Sequence, residues 1–383
     1  MFGRLGIVAL LLALAATAAG AQTPAPQRVG PYTIAKQGHF FVGGHYVGQP
    51  PNQLMTGQAY VEYQIPEKRT HHFPIVMIEG CCTSGAAFTA TPDGRDGWEQ
   101  YFVAHGWAVY IMDQAGRGRS QYLESVYGPN NPKTAQADER DFVAYEKYNL
   151  YPQAHLHTQW PGPDTVGSET YDQFYAAQLP DFRDRTLREV VNRDAGIALL
   201  EKIGPAIVLV HSQAGLYVWP IADARPNLVK GIIAIEAGGT TFHDVEFTGP
   251  PGWFKDGALS KPWGLTRTPI TYAPAVTDPS QLAIVQQDQP DAPGLVRCWM
   301  QKEPARQLPN LRGIAILEIV SEASFAAPDE HCGAKFLAQA GVPNDFIRLP
   351  DIGIHGNGHF MMLEKNNLQI AGVIAGWLQK KGL

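Results

Sequence analysis

A serine set between a buried-strand pattern and a helix pattern is the residue of this chain best placed for covalent chemistry. His211-Ser212-Gln213-Ala214-Gly215 follows the apolar run Ala206-Ile207-Val208-Leu209-Val210. A sharp turn from strand to helix strains the backbone at such a serine and presents its hydroxyl at the carboxyl edge of a sheet. Gly215 would let strand and helix approach closely, whereas His211 stands where the general pattern has glycine. The pentapeptide also fits a polar turn whose serine only caps the following helix. Its partners elsewhere in the chain must decide between the two.

A serine hydroxyl is a poor nucleophile at neutral pH and needs a base, itself oriented by an acid. The late segment His355-Gly356-Asn357-Gly358-His359 offers two imidazoles. His359, close to the last helix, is taken as the base and His355 as a residue that fixes the loop. Three carboxylates follow predicted strands and precede these histidines: Glu236, Glu322 and Asp329. Each could orient the base, and each could equally cap a helix. A tetrahedral intermediate also needs two backbone N–H donors. Gln213, directly after the serine, supplies one, and the loop around Cys81 is placed to supply the other.

The four cysteines are Cys81, Cys82, Cys298 and Cys332. Neighbouring residues lie about 3.8 Å apart across a trans peptide, shorter than the usual disulfide span. A Cys81–Cys82 bond would close a minimal loop and serve mainly to hold local backbone geometry, with Cys298 and Cys332 then left as the second pair. Free thiols or two long-range bridges are the alternatives. No CxxC pair or His-rich spacing points to metal. The glycine-rich run from Asp113 to Ser120 lacks the lysine of a P-loop and the spacing of a dinucleotide fold, so it reads as a tight turn.

These residues need a frame. The chain has 383 residues, 45% of them hydrophobic, which suffices for one large α/β domain. A net charge of −6 gives no basic footprint for nucleic acid. Residues 1–21 read as a signal peptide: Arg4, an apolar stretch over 5–19, and Ala19-Gly20-Ala21 before Gln22. The mature chain, 22–383, is therefore expected in the periplasm or outside the cell, with no membrane attachment after cleavage. Strands are predicted at 39–46, 58–65, 73–78, 107–112, 206–210, 230–235, 313–320 and 346–349. Helices are predicted at 98–105, 181–203, 214–223, 330–339 and 364–380. Strands alternating with helices predict a mostly parallel sheet covered on both faces, with the site at the carboxyl ends of its strands. Two long segments, 122–180 and 240–308, are rich in aromatics, proline and glycine and are expected to cover that edge like a cap. Aromatic packing alone would also account for the first.

The motifs together resemble the secreted bacterial esterase group of the α/β-hydrolases, typified by an Alcaligenes esterase with a vicinal disulfide at its oxyanion hole. The matching segments are Glu79-Gly80-Cys81-Cys82, the run Asp113 to Ser120, His211-Ser212-Gln213-Ala214-Gly215, Ile235-Glu236-Ala237-Gly238, and Gly353-Ile354-His355-Gly356-Asn357-Gly358-His359 followed by Asn366-Asn367-Leu368-Gln369. They span most of the mature chain in order. The chain departs from the group after Glu236, in the 240–308 segment and in the placement of Cys298. The resemblance implies an α/β-hydrolase fold and a Ser212–His359–Glu236 triad. It also implies oxyanion donors at Cys81 and Gln213, and that His211 is normal at its position. The expected reaction is hydrolysis of a small carboxylic ester through an acyl-enzyme, with no cofactor or metal. Lactones, thioesters and amides would use the same parts, and a hydrolase fold that only binds is the reading from another class. The residues leave open whether the protein forms a homodimer.

Overall fold

The computed structural model describes residues 28–383; the leader expected at 1–21 lies outside them. Eight strands form the central sheet, numbered here in chain order: β1 Ile34–Val47, β2 Leu54–Pro66, β3 Ile75–Ile78, β4 Val109–Met112, β5 Ala206–His211, β6 Val229–Ile235, β7 Ala315–Val320 and β8 Asp345–Arg348. Their spatial order is β1-β2-β4-β3-β5-β6-β7-β8. The pairs β1/β2 and β2/β4 are antiparallel, and every pair from β4 to β8 is parallel. The fold is the expected α/β arrangement. β1 and β2 run longer than their sequence patterns: β1 begins earlier, at the end of the pair away from the turn, and β2 begins earlier, next to the turn.

The central strands are apolar throughout because both of their faces are covered. Successive residues enter opposite cores, as the period of two requires. Val208 and Val210 of β5 join one cluster, with Val76 and Ile78 of β3 and Ile232 and Ala234 of β6. Ile207 and Leu209 join the other, with Ile75, Met77, Ile233 and Ile235. The first core is closed by the helices Arg185–Ile203, Gly215–Ala224 and His331–Gln339 through residues such as Leu199, Trp219 and Phe336. The second is closed by Trp98–Ala104 and Asn367–Lys381 through Trp98, Phe102, Ile370 and Ile374.

Two helix boundaries differ from the sequence pattern for local reasons. The helix expected from residue 181 starts at Arg185, because the Asp184 carboxylate accepts from the Thr186 and Leu187 N–H groups and caps it there. The last helix starts at Asn367 rather than 364, because the Glu364 carboxylate is held by the Gly358 N–H and the Asn357 amide. The two long segments share the cores. Phe142, Trp160, Tyr171 and Phe174 enter the second cluster, while Phe242, Trp263 and Leu265 enter the first. The later segment opens with an antiparallel hairpin, Phe242–Gly249 with Trp253–Lys261. Among the described residues, no helix is long and apolar enough to cross a membrane.

The approach of the helix Gly215–Ala224 to the sheet depends on one missing methyl group. A Cβ at Gly215 would lie 1.8 Å from the Ala237 carbonyl oxygen. A Cβ at Gly376, in the last helix, meets nothing within 4 Å. Gly215→Ala is therefore expected to destabilise the protein by about 1–3 kcal/mol or more through overpacking. Gly376→Ala should stabilise it by about 0.5–1 kcal/mol through helix propensity. Denaturant midpoints of the two variants check the contrast, and equal shifts would contradict it.

Candidate active site

β5 delivers Ser212 to the carboxyl edge of the sheet. Ser212 has φ +54°, a left-handed conformation that costs about 1 kcal/mol or more for a residue other than glycine. Ala214, not the serine, occupies the cap position of the following helix, and no side chain caps it. The loop after β3 lies directly against this turn. A Cβ on Gly80 would stand 2.6 Å from both the His211 carbonyl oxygen and the Ser212 Cβ. Only glycine therefore lets the chain pass so near, and the next residue is Cys81.

Cys81 and Cys82 form a disulfide, and so do Cys298 and Cys332. The Cys81–Cys82 peptide is cis, so the two Cα atoms stand 3.1 Å apart rather than at the trans spacing. The loop is also held from outside. Arg117 Nη1 donates to the Gly80 carbonyl at 2.8 Å, and the Gln114 amide donates to the same oxygen at 3.1 Å. The glycine-rich run from Asp113 to Ser120 is thus a tight turn that braces the Cys81 loop. The Gln213 side chain is fixed as well: its amide donates to Asp181 at 2.9 Å, and its carbonyl accepts from Tyr217 at 3.0 Å.

Glu236, after β6, also has a left-handed backbone, with φ +46°. Its Oε2 lies 2.6 Å from His359 Nδ1. Its Oε1 accepts from the Ser321 N–H at 2.7 Å and the Ser324 hydroxyl at 2.9 Å. The other two carboxylates go elsewhere. Glu322 holds exposed His355, Nδ1 at 3.0 Å, and the Gly356 N–H at 2.8 Å. Asp329 lies beside Gly239. The structure thus brings Glu236 and His359 together and gives His355 the loop-fixing contact.

The His359 imidazole is buried among Phe142, whose ring is stacked at 5.7 Å, and Phe325, at 4.3 Å. Its backbone N–H donates to the Tyr145 hydroxyl at 2.9 Å. Its Nε2 is buried without a partner, and no hydrogen bond links it to Ser212. Such contacts often tighten only when substrate is bound. Burial pushes Glu236 up to about 7. Burial, reinforced by the nearby His211 charge, holds His359 well below the ordinary imidazole value. Both shifts have the sign expected where burial removes solvent from the charged form of each partner.

A second buried pair lies beneath the first. His211 Nδ1 is 2.5 Å from Glu79 Oε1, and His211 Nε2 is 2.9 Å from the His359 carbonyl oxygen. A carbonyl only accepts, so Nε2 donates. Glu79 Oε1 also accepts from the Gly80 N–H at 2.9 Å. Nδ1 faces the Glu79 carboxylate, which favours a proton on that nitrogen as well and hence the charged ring. Burial opposes that charge, but the Glu79 carboxylate outweighs it and raises His211 above its ordinary value. Sequence reasoning found neither Glu79 nor Arg117, Tyr145 and Ser324. One signal existed: a histidine at the end of a fully buried strand needs a partner, and Glu79 ends the neighbouring strand.

Ser212, Gln213, Cys81 and Cys82 open into one cleft of about 500 Å³. Two clusters of metal-ligand residue types occur among the described residues, Cys298–His331–Cys332 and Cys81–Cys82–Asp181. In both, the sulfurs are bonded to each other and are not the thiolates that ligate metal.

No family model matches the chain. It is 43% identical over 347 residues to the probable secreted lipase phiG of a fungal species, strain ATCC 74256, covering 89% of each chain. It superposes on the solved structure of a novel bacterial esterase with a TM-score of 0.61 and 23% identity, over 94% of this chain and 100% of that one.

The His211 charge has a pH signature. Its folded value is raised, so its contribution to stability is fully present below about pH 6.5, the ordinary imidazole value. That contribution is lost as pH rises through the raised folded value. Glu79→Gln offers an amide donor to a neutral ring and should abolish this loss. Denaturant midpoints from about pH 5 to pH 9 check it, and identical profiles for the two proteins would contradict it.

Proposed function

The chain belongs to the α/β-hydrolases, in the group that includes this secreted lipase, and we propose that it is a secreted serine hydrolase of carboxylic esters with a Ser212–His359–Glu236 triad. The observation that carries the proposal is the buried 2.6 Å Glu236–His359 contact, on a loop tied by His211 to the turn that strains Ser212.

The chemistry runs in two halves. The Ser212 hydroxyl attacks the ester carbonyl carbon while His359 Nε2 takes its proton. Glu236 keeps the other imidazole proton on Nδ1 and stabilises the positive charge that forms. The carbonyl oxygen becomes an oxyanion and accepts from the N–H groups of Gln213 and Cys81. Collapse breaks the ester C–O bond, and His359 gives its proton to the departing alcohol. Water, deprotonated by the same imidazole, then attacks the acyl-enzyme and releases the acid. The Cys81–Cys82 bridge, with Arg117 and Gln114 on the Gly80 carbonyl, holds the second donor in place before the reaction, so little reorganisation is needed.

Export follows from the leader expected at 1–21 and agrees with the name of the fungal relative. The segments 122–180 and 240–308 are insertions of a single domain. The first reaches the site through Lys133 in the cleft and through Phe142 and Tyr145 on His359.

Substitution separates the roles. Ser212→Ala is expected to lower kcat on short acyl esters by about 10⁴-fold or more, and Glu236→Gln by about 10²- to 10⁴-fold. Glu322→Gln should stay within about threefold of the wild type, since Glu322 holds the exposed His355 and the Gly356 N–H and does not reach His359. Steady-state assays on the three variants check this, and a collapse confined to Glu322→Gln would reassign the acid. Replacing Cys81 and Cys82 together by serine should reduce kcat by about 10-fold or more with less change in KM, because the donor acts only on the oxyanion. Unchanged kcat would remove the bridge from the mechanism.

A further inference from the structure

We propose that the preferred substrate carries an anionic group, as a hemiester of a short dicarboxylic acid does, and that Arg185 with Arg188 binds that carboxylate in the cleft beside Ser212. This inference rests on ester hydrolysis at Ser212 and names its substrate class.

The cleft that holds Ser212 and the Cys81–Cys82 bridge has a charged wall. Lys133, Asp181, Arg185, Arg188 and Asp244 all line it. Arg117 stands behind them, its Nη2 at 2.5 Å from Asp181 Oδ1. Asp181 Oδ2 accepts from Arg188 and, at 2.9 Å, from the Gln213 amide. One carboxylate thus serves two buried guanidiniums. Arg185 meets only Asp244, at 3.8 Å. Lys133 and Arg140 are balanced by Asp138 and Asp141. Three arginines, Arg117, Arg185 and Arg188, therefore face two carboxylates, Asp181 and Asp244, and the wall has one positive charge in excess.

That excess comes with unmade hydrogen bonds. Arg188 is 3% exposed, yet its Nε is buried without a partner. A buried guanidinium donor left unpaired costs free energy, and the charge of Arg188, which shares one carboxylate with Arg117, adds to the attraction an anion meets in the cleft. Arg185, on the first turn of its helix, is more than half exposed on the cleft side of this network, and its distant contact with Asp244 leaves most of its five donors free.

The wall is equally ill suited to a long neutral acyl chain. Such a chain needs a continuous apolar lining, whereas the apolar residues here are Pro132, Leu216 and Phe325 among charged neighbours. A cleft of about 500 Å³ suits a short acyl group. The charge next to the carbonyl-binding position then selects for a second carboxylate.

The test compares two esters matched in acyl length, monoethyl succinate and ethyl butyrate, by pH-stat titration with the purified full-length protein. The wild type should show a kcat/KM at least about tenfold higher for the hemiester, the size of one charge-assisted hydrogen bond. Arg185→Ala should lower that ratio by about tenfold, mainly through KM. Arg185→Glu should lower it further, and Arg185→Lys should keep most of it. The exposed position of Arg185 makes these substitutions compatible with folding, which circular dichroism and labelling of Ser212 by an activated phosphonate would verify. A ratio at or below one that the Arg185 variants do not move would overturn the proposal and leave ester hydrolysis standing. Two inert esters with an unlabelled Ser212 would sink ester hydrolysis itself, and this inference with it.

Discussion

A carboxylate at the edge of a buried sheet is unstable unless donors replace the water it has lost. Glu236 depends on that replacement. Ser321 and Ser324 supply two donors to Oε1, leaving Oε2 to meet His359 Nδ1 at 2.6 Å. The arrangement links three separate parts of the chain. β6 ends at the acid, the segment after β7 saturates it, and the loop before the last helix brings the imidazole. Removing the Ser324 hydroxyl would leave the buried carboxylate with the Ser321 N–H as its one donor on Oε1, so the turn from Ser321 to Ser324 positions Glu236 toward His359.

The same logic repeats one layer below. His211 would be an expensive residue at the end of a buried strand if it stood alone. Paired with Glu79, it ties the loop after β3 to the turn at Ser212 and to the backbone of His359. The pair therefore links the turn at Ser212, the loop of His359 and the loop of Cys81. The His211 charge also works against protonation of His359. Replacing a buried pair by apolar residues is often neutral for stability, whereas breaking it is not. That asymmetry suggests a positioning role for the pair and explains why a histidine can replace the glycine of the general pattern.

The region over the sheet edge combines two functions. Phe142 and Tyr145 reach His359 from the first long segment and shield it from solvent. Lys133, from that same segment, lines the cleft together with Asp181 and the arginines of the Arg185–Ile203 helix. Aromatic packing and one hydrogen bond hold His359, while the charged side chains line the cleft beside Ser212.

Much of this was legible in the residues. Period-two and helical patterns located the central strands and main helices, because a strand covered on both faces must be apolar along its length. Gly215 marked a close approach, and the strand ends placed Ser212 and Glu236 at one edge of the sheet. The ambiguous features needed coordinates. Glu236, Glu322 and Asp329 each follow a strand, and only the packing of loops shows that the first reaches His359 while the second holds His355. The Glu79–His211 pair joins residues 132 apart, and the Arg117–Asp181–Arg188 network draws on three segments. Local pattern encodes which residues are buried, since burial follows from the side chain and its period. Which buried polar groups meet is decided by the register of strands and loops far apart in the chain, and that comes into being only when the sheet closes.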